Sequence, residues 1–79
     1  MYYVYILKSS QTNQIYIGYT RDLTKRLVAH NTGNSLHTAK YKPWELQVFL
    51  GFKNKITAIE FEKYLKSHSG RTFALKRLM

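Results

Sequence analysis

Residues 2–20, YYVYILKSSQTNQIYIGYT, contain two strand-like runs separated by a short polar segment. Tyr2 to Lys8 and Gln14 to Thr20 are rich in β-branched, aromatic and apolar residues, a composition typical of β-strands. The five residues between them, 9–13, are polar turn-formers without Gly or Pro. The two runs therefore predict an antiparallel hairpin.

Successive side chains alternate across a strand, so the hairpin has two different faces. Tyr3, Tyr5 and Leu7 share one face of the first strand, and the other face holds Tyr2, Val4 and Ile6. On the second strand, Tyr16 and Gly18 lie opposite to Ile15, Ile17 and Tyr19. If an even number of residues separates paired positions, Tyr5 and Tyr16 emerge on one face. Gly18 would then lie opposite or diagonal to Tyr5 and leave a gap where a phosphate could approach.

A helix is predicted after the hairpin. Asp22 is a suitable N-cap, Gly33 a suitable C-cap, and the apolar stripe between them is formed by Leu23, Leu27 and Val28. Residues 34–42 are polar and basic and predict a loop with room for one helical turn. Pro43 then introduces a third strand over residues 44–52.

A second helix is predicted in the C-terminal third of the chain. Residues 57–60, Thr-Ala-Ile-Glu, match a capping box and precede the apolar positions Phe61, Tyr64 and Leu65. Gly70 ends or breaks this helix, and residues 71–79 predict a short terminal one. The order β-β-α-β-α(-α) indicates an α/β (α+β) sandwich: a three-stranded antiparallel sheet flanked by helices, with 1–79 as a single domain.

The charge balance points to a polyanionic partner. Thirteen Lys and Arg against four Asp and Glu give a net charge of +9, which favours nucleic acid. No apolar run is long enough for a membrane span, and we expect no membrane partner. The absence of cysteine excludes thiolate sites and disulfides. The strand-like N-terminus lacks the features of a secretory leader, so a cytoplasmic location is expected.

The chemistry open to this composition is narrow. His30, His37 and His68 have no zinc-motif spacing, and the four Gly are too dispersed for a phosphate-binding loop. Hydrolysis assisted by a hard metal ion remains, and it requires a carboxylate. Of the four acids, Asp22 and Glu60 occupy capping positions and Glu45 alternates with strand apolar residues. Glu62 lies at the edge of an apolar stripe, as a surface residue or as a group aimed at a site.

Arg26 and His30 are four residues apart and project from one face of the first helix. They form either a solvated charged surface, with Asp22 pairing to Arg26, or a guanidinium and an imidazole presented together to a phosphate. Their spacing alone is compatible with both interpretations.

Taken together, these positions resemble the GIY-YIG nuclease superfamily. The matching motifs are Tyr3-Val4-Tyr5, Tyr16-Ile17-Gly18, Arg26, His30 and Ala58-x-x-x-Glu62-x-x-x-Lys66. Further phrases, at residues 30–33, 43–46 and 65–71, resemble the small stand-alone bacterial members that are related to the nuclease of nucleotide excision repair. The resemblance runs from Tyr3 to about Arg71, nearly the whole chain.

The resemblance implies a metal-dependent endonuclease that hydrolyses phosphodiester bonds, with DNA favoured over RNA and structure-directed, weakly specific action. The catalytic positions it implies are Tyr5, Tyr16, Arg26, His30 and Glu62. Glu62 would bind a single Mg²⁺ or Mn²⁺, and the proton acceptor would be Tyr5, Tyr16 or His30. Nucleic-acid contacts are expected from Gly18, Tyr19, Lys25, Lys40, Lys66 and Arg71.

Two features depart from the superfamily pattern. Tyr3 stands where the first triplet has Gly, and no Asn follows the metal-binding helix. Candidates for the polar role of that Asn are Ser67, Ser69, Arg71 and Thr72. Two other functions are compatible with the same sequence: a non-catalytic basic nucleic-acid-binding module of this fold, and a structural component of a ribonucleoprotein. The sequence sets no oligomeric state.

Overall fold

The computed structural model describes residues 1–33 and 37–79, so part of the predicted loop lies outside the described residues. The elements are β1 (Tyr2–Ser9), β2 (Ile15–Thr20), α1 (Leu23–Thr32), a 3₁₀ turn (Ala39–Tyr41), β3 (Trp44–Phe52), α2 (Lys55–Lys66) and α3 (His68–Arg77). The strands form one antiparallel sheet in the order β2-β1-β3. The predicted fold class and element order are confirmed.

Each face of the sheet carries its own hydrophobic core. Val4, Ile6 and Ile17 pack with α2 and α3 on one face, against Ala58, Leu65 and Ala74. Tyr5, Leu7 and Trp44 pack on the other face, against Leu23 and Leu27 of α1. The sheet therefore lies between α1 on one side and α2 and α3 on the other, and the alternation predicted for β1 and β2 is confirmed.

A bulge in β3 lets one strand serve both cores. Ile6 pairs with Val48 and Leu7 pairs with Leu46, so Gln47 is the extra residue. Side chains at even positions would all share one face in a regular strand. Because of the bulge, Val48 and Phe52 join the core under α2, whereas Trp44 and Leu46 join the core under α1.

The first helix begins and ends as predicted, but its buried face differs. Asp22 accepts a hydrogen bond from the Lys25 backbone N–H, and Gly33 closes the helix at φ +82°. Val28 was expected in the apolar stripe and is 55% exposed. His30 takes the buried position one turn after Leu27. Counted from Leu23, Leu27 and His30 are residues i+4 and i+7 and lie on the same helix face. Val28 is residue i+5, which lies a further 100° around the helix.

The capping box predicted at residues 57–60 is wrong. The α2 helix begins at Lys55, and Asn54 caps it by accepting hydrogen bonds from the backbone N–H groups of Ile56 and Thr57. Asn is among the strongest N-caps, and its position three residues earlier places Thr57 inside the first turn.

The position of the break after α2 also differs from the prediction. Helix α2 ends at Lys66, Ser67 joins it to α3, and Gly70 lies within the first turn of α3. A Cβ at Gly70 would overlap the backbone carbonyl of Tyr64 and lie 2.7 Å from the Leu65 Cα. The glycine therefore allows α2 and α3 to meet at close range instead of terminating a helix. None of the helices within 1–33 and 37–79 has the length and apolarity to cross a membrane.

Candidate active site

The phenol ring of Tyr5 lies over Gly18. Tyr5 on β1 is directly paired with Gly18 on β2, and a Cβ at Gly18 would overlap the Tyr5 Cζ and hydroxyl and lie 2.9 Å from Tyr16 Cε2. The sequence suggested an open gap at Gly18 for a phosphate, but the Tyr5 ring fills that space. Tyr5 and Tyr16 emerge on the same face, as predicted, with ring centroids 6.2 Å apart.

His30 anchors Tyr5 from the α1 side. The Tyr5 hydroxyl lies 2.9 Å from His30 Nε2, and His30 Nδ1 lies 2.8 Å from the Thr38 hydroxyl. All three side chains are at most 1% exposed. Burial, and next the charge of Arg26, lower the pKa of His30, so its imidazole is neutral at physiological pH.

Arg26 approaches the two tyrosines from the preceding turn of α1. The Tyr5 and Tyr16 phenol groups, Tyr5 most of all, raise the pKa of Arg26 against the opposing effect of burial. The helix thus presents Arg26 and His30 on one face, and the solvated Asp22–Arg26 pair is not formed. Arg26 itself remains exposed and can reach a phosphate oxygen.

Glu62 lies on α2, on the opposite side of the sheet from α1. Burial raises the pKa of Tyr5 to about 12. The nearby Arg26 acts to lower this pKa, and Tyr16 and Glu62 act to raise it. Glu62 therefore shares the electrostatic environment of Tyr5. Its carboxylate is 20% exposed and its Oε2 accepts a hydrogen bond from Lys66 Nζ at 3.0 Å.

A basic groove runs along the free edge of β2, where the two sides of the sheet meet. It is lined by Ile15, Tyr16, Ile17, Lys66 and Arg71. Tyr16 belongs both to this groove and to the Tyr5–His30 cluster, since its ring centroid lies 4.7 Å from that of His30. The groove is therefore a basic path that leads to the tyrosines.

The remaining predicted nucleic-acid-binding residues lie elsewhere. Lys25 lines a separate shallow pocket with Arg26 and Thr20. Tyr19 projects to the other face, where it stacks on Tyr2 at 6.3 Å. Lys40 lies 5.2 Å from the Tyr41 ring centroid, beside the 3₁₀ turn.

Among the candidates for the missing Asn, Arg71 alone lines the groove. Ser67 is used at the helix junction, where its hydroxyl accepts from the Gly70 N–H. Thr72 donates its hydroxyl proton to the His68 carbonyl. The Ser67 hydroxyl therefore caps α3, whereas the Thr72 hydroxyl bonds back to a carbonyl one turn earlier in the same helix.

Sequence reasoning missed two residues that support the site. Thr38 contacts His30 from eight positions along the chain, and Asn31 clamps the start of β3 by donating to the Trp44 carbonyl at 3.1 Å and accepting from its N–H. The motif His30-Asn31-x-Gly33, which contributes to the family resemblance, could have indicated Asn31. Thr38 had no such signal, because its partner is reached only through the folded loop.

The donor set fits one hard divalent cation held by a single carboxylate. Within residues 1–33 and 37–79 no group of three His, Asp or Glu side chains converges. In that same part of the chain Glu62 Oε1 has no hydrogen-bond partner, so it is available to a cation. Mg²⁺ commonly takes one or two carboxylates and fills its other positions with water and phosphate oxygens. Glu62, which pairs with Lys66 of the basic groove, could supply that carboxylate.

Tyr5 and Tyr16 lie together over Gly18 on one face of the sheet. Arg26 is carried by the helix on that face, and Glu62 by a helix on the opposite face. These features define a class of small α/β domain with two tyrosines at its centre. The family model of the GIY-YIG catalytic domain matches residues 1–76, and the chain belongs to this family.

Small bacterial relatives match most of the chain. The UPF0213 protein CPE1444 of Clostridium perfringens is 42% identical over 67 residues, covering 84% of this chain and 71% of its own length. The solution structure of the UPF0213 protein BH0048 from Bacillus halodurans superposes with a TM-score of 0.59 at 29% identity, over 96% of this chain and 84% of that one.

This chain also matches a small part of two larger eukaryotic proteins. The structure-specific endonuclease subunit SLX1 of Malassezia globosa is 38% identical over 77 residues. These residues cover 90% of this chain but 17% of the SLX1 sequence. The corresponding protein of Schizosaccharomyces pombe, also 38% identical, is covered over 25% of its length.

Proposed function

We propose that the chain, acting as one GIY-YIG-type domain over residues 1–79, is a divalent-metal-dependent endonuclease that hydrolyses phosphodiester bonds in DNA. The observation that carries the proposal is the convergence of Tyr5, Tyr16 and Arg26 beside a basic groove, with the Glu62 charge acting on Tyr5. The net charge of +9 supports a nucleic-acid substrate. The cytoplasmic location expected from the sequence remains a prediction.

The chain's own residues divide the work of hydrolysis. Glu62 holds the cation, Mg²⁺ or Mn²⁺, which when bound supplies positive charge against the phosphate and the leaving oxygen. Arg26 donates to a non-bridging phosphate oxygen, where a preorganised donor contributes several kcal/mol, roughly 3–4 by the cost of removing one. Lys66 and Arg71 bind neighbouring phosphates along the β2 edge.

Tyr16 is the best candidate for the proton acceptor. A water oxygen attacks phosphorus in line and its proton passes to the oxygen of a Tyr16 phenolate, while the bond to the leaving sugar oxygen breaks and that oxygen takes up a proton from solvent. The Tyr5 hydroxyl already contacts His30, and with a pKa of about 12 it stays protonated at neutral pH. His30 has both ring nitrogens engaged inside the protein. Tyr16 opens on the groove, with Arg26 near enough to oppose negative charge on its oxygen.

The expected substrate class rests on the residues that line the groove and on the relatives. Groove contacts come from Lys and Arg, which bind phosphates regardless of sequence. The SLX1 relatives carry the name structure-specific endonuclease subunit. We therefore expect DNA shape, such as a flap or branch, to determine cleavage more than base sequence.

A substrate panel tests the proposal. End-labelled flap, branched and linear DNA, and the flap made of RNA, are incubated with the purified chain in Mg²⁺, Mn²⁺ or EDTA. We expect nicking near the branch in either metal and none in EDTA. Salt-sensitive binding without nicking in both metals would instead indicate the non-catalytic binding module, and stable co-purification with RNA a ribonucleoprotein component.

A further inference from the structure

The corner of the sheet at the end of β3 carries two aromatic side chains beside the site. Tyr3 precedes Tyr5 by two residues on β1, and Phe49 on β3 is paired with Tyr5, so all three project to the α1 face. Helix α1 crosses this face from the end of β2 to the start of β3, where Asn31 bonds to Trp44. The end of β3 lies outside that path, and Phe49 is 50% exposed.

Tyr3 and Phe49 form one wall of a pocket, which we call the aromatic pocket. Its volume of about 310 Å³ is within the range of small-molecule sites. The two rings meet edge to face, with centroids 5.9 Å apart and planes at 70°. The ring that presents its edge keeps its own faces free of the other ring, so a further flat ring can stack there. The lining residues are Tyr3, Arg21, Asp22, Leu23, Thr24 and Phe49.

The lining favours a neutral, flat group over a phosphate. Arg21 and Asp22 carry opposite charges, and the other lining side chains are aromatic, apolar or hydroxyl-bearing. A phosphate gains little in such a pocket, because the Asp22 carboxylate repels it. A ring with polar edges gains more, because it stacks on the aromatic wall while Arg21 and Thr24 offer hydrogen-bonding groups to its edge. A nucleobase has this chemistry.

Cations for the phosphates of the same strand lie next to the aromatic pocket. Asp22 lines both this pocket and the shallow pocket that contains Lys25 and Arg26, so the two adjoin. Tyr3 lies about 7 Å from Tyr5 along β1, the length of roughly two base steps of a DNA strand at ~3.4 Å each. A base in the aromatic pocket therefore belongs to a nucleotide within a step or two of a phosphate at Arg26.

We propose that the aromatic pocket binds one unpaired nucleobase of the DNA strand, stacked against the Tyr3–Phe49 pair, beside the phosphate that Arg26 holds. The place of that phosphate rests on the proposed function, whereas the binding of a base requires no catalysis. A base inside a duplex has both faces stacked and its edge paired, so only a base that has left the stack can enter. The pocket thus gives a physical reason for preferring a flap, a branch or a single strand to a linear duplex.

Binding in EDTA tests this proposal without cleavage. The probes are a dT oligonucleotide, an oligonucleotide of the same length in which every base is replaced by an abasic site, and a linear duplex. Both single strands carry the same phosphates, so the ratio of their Kd values measures the contribution of the bases. We expect the wild-type chain to bind the abasic strand at least about fivefold more weakly than dT, the lower end of what one base–aromatic stack contributes.

Phe49→Leu removes the ring and keeps an apolar side chain at a half-exposed position. We expect it to bind dT about fivefold more weakly than wild type, with its affinity for the abasic strand and for the duplex unchanged. Phe49→Trp should restore dT binding, because tryptophan also offers a stacking face. Phe73→Leu is the matched control, since Phe73 is a partly exposed aromatic residue of α3, across the sheet. It should match wild type with all three probes.

Three results would overturn the proposal. The first is equal affinity of wild type for dT and for the abasic strand, which requires no variant. The second is a Phe49→Leu protein that is folded, as its amide spectrum shows, and binds dT as wild type does. If that variant also sediments as a smaller species than wild type, the pocket is a contact between two copies of the chain. The third is an equal loss of affinity for all three probes, which would indicate a general defect.

Cleavage separates this inference from the proposed function. A wild type that distinguishes dT from the abasic strand through Phe49 but nicks no DNA would refute the proposed function and leave base binding intact. A wild type that nicks flap DNA but binds the two single strands equally would refute the aromatic pocket alone.

Discussion

The Tyr5 hydroxyl and His30 Nε2 lie 2.9 Å apart, in a contact that joins the central strand to α1 in the protein interior. Tyr5→Phe should therefore cost stability, roughly 1–3 kcal/mol, because His30 loses a buried partner. It should lower cleavage further than this loss of stability explains, because the phenol oxygen that acts on the charge of Arg26 is removed. Urea unfolding and single-turnover cleavage are the measurements.

Tyr19→Phe is the matched control for this substitution. Tyr19 packs on the opposite face, so the variant should cut DNA at the wild-type rate. Equal cleavage by Tyr5→Phe and Tyr19→Phe would remove the Tyr5 hydroxyl from the site.

The lowered pKa of His30 predicts a loss of stability in mild acid. The unfolded chain takes up a proton at His30 near its ordinary pKa of about 6.5, whereas the folded chain takes it up only at lower pH. Between those two values the unfolded state binds more protons, so the free energy of unfolding falls as pH falls. The slope attributable to His30 is at most about 1.4 kcal/mol per pH unit.

Unfolding in urea between pH 8 and pH 5 measures this dependence. His30→Gln should flatten the acid limb, while His68→Gln, at an exposed position, should retain it. A His30→Gln curve parallel to wild type would show that the buried imidazole does not remain neutral.

In the proposed site, Lys66 competes with the cation for Glu62. Its ammonium lies 3.0 Å from Glu62 Oε2 in a pair whose lysine is 53% exposed. Exposed pairs of this spacing are worth roughly 0.3–0.5 kcal/mol, so Lys66→Met should tighten Mn²⁺ binding about twofold. Calorimetric or spin-resonance titration measures this, with Lys63→Met as a control for net charge on the same helix. Weaker Mn²⁺ binding in Lys66→Met would mean that Lys66 supports the cation site.

The junction of α2 and α3 should not tolerate a side chain at Gly70. Its Cβ would meet backbone atoms of Tyr64 and Leu65, which cannot rotate away. We expect Gly70→Ala to destabilise the fold by roughly 1–3 kcal/mol, the usual cost of overpacking. At the exposed Gly51 the nearest atoms are side-chain atoms of Tyr3 and Met1 at 3.3 and 3.4 Å, so Gly51→Ala should change little. Equal urea midpoints for the two variants would contradict the close approach.

Local patterns were sufficient to predict most of the fold. Period-two alternation placed Tyr5 and Tyr16 on one face, and the 3.6-residue spacing placed Arg26 and His30 together, because both depend only on backbone geometry. The bulge at Gln47 could not be predicted from local patterns. It depends on tertiary packing, because β3 contributes side chains to the cores on both faces of the sheet. The start of α2 was missed because Asn54 precedes a competing Thr-x-x-Glu pattern.

The candidate site was harder to predict from local patterns. Glu62 could be singled out as an acid without a capping position, but its electrostatic effect on Tyr5 arises only in the folded chain, where α2 packs against β1 and β2. The contact between His30 and Thr38 is formed only in the folded chain. Such contacts are set by tertiary structure, which sequence spacing does not encode.

The most direct test of the central claim is the rate of Mn²⁺-dependent flap cleavage by Glu62→Gln, compared with Glu60→Gln on the same helix. We expect Glu60→Gln, at an exposed position, to match wild type. Glu62→Gln should lose cleavage by roughly 10²-fold or more while keeping its fold and its metal-free DNA affinity, because an amide of the same shape holds a divalent cation poorly. Undiminished cleavage by Glu62→Gln would contradict the proposed site.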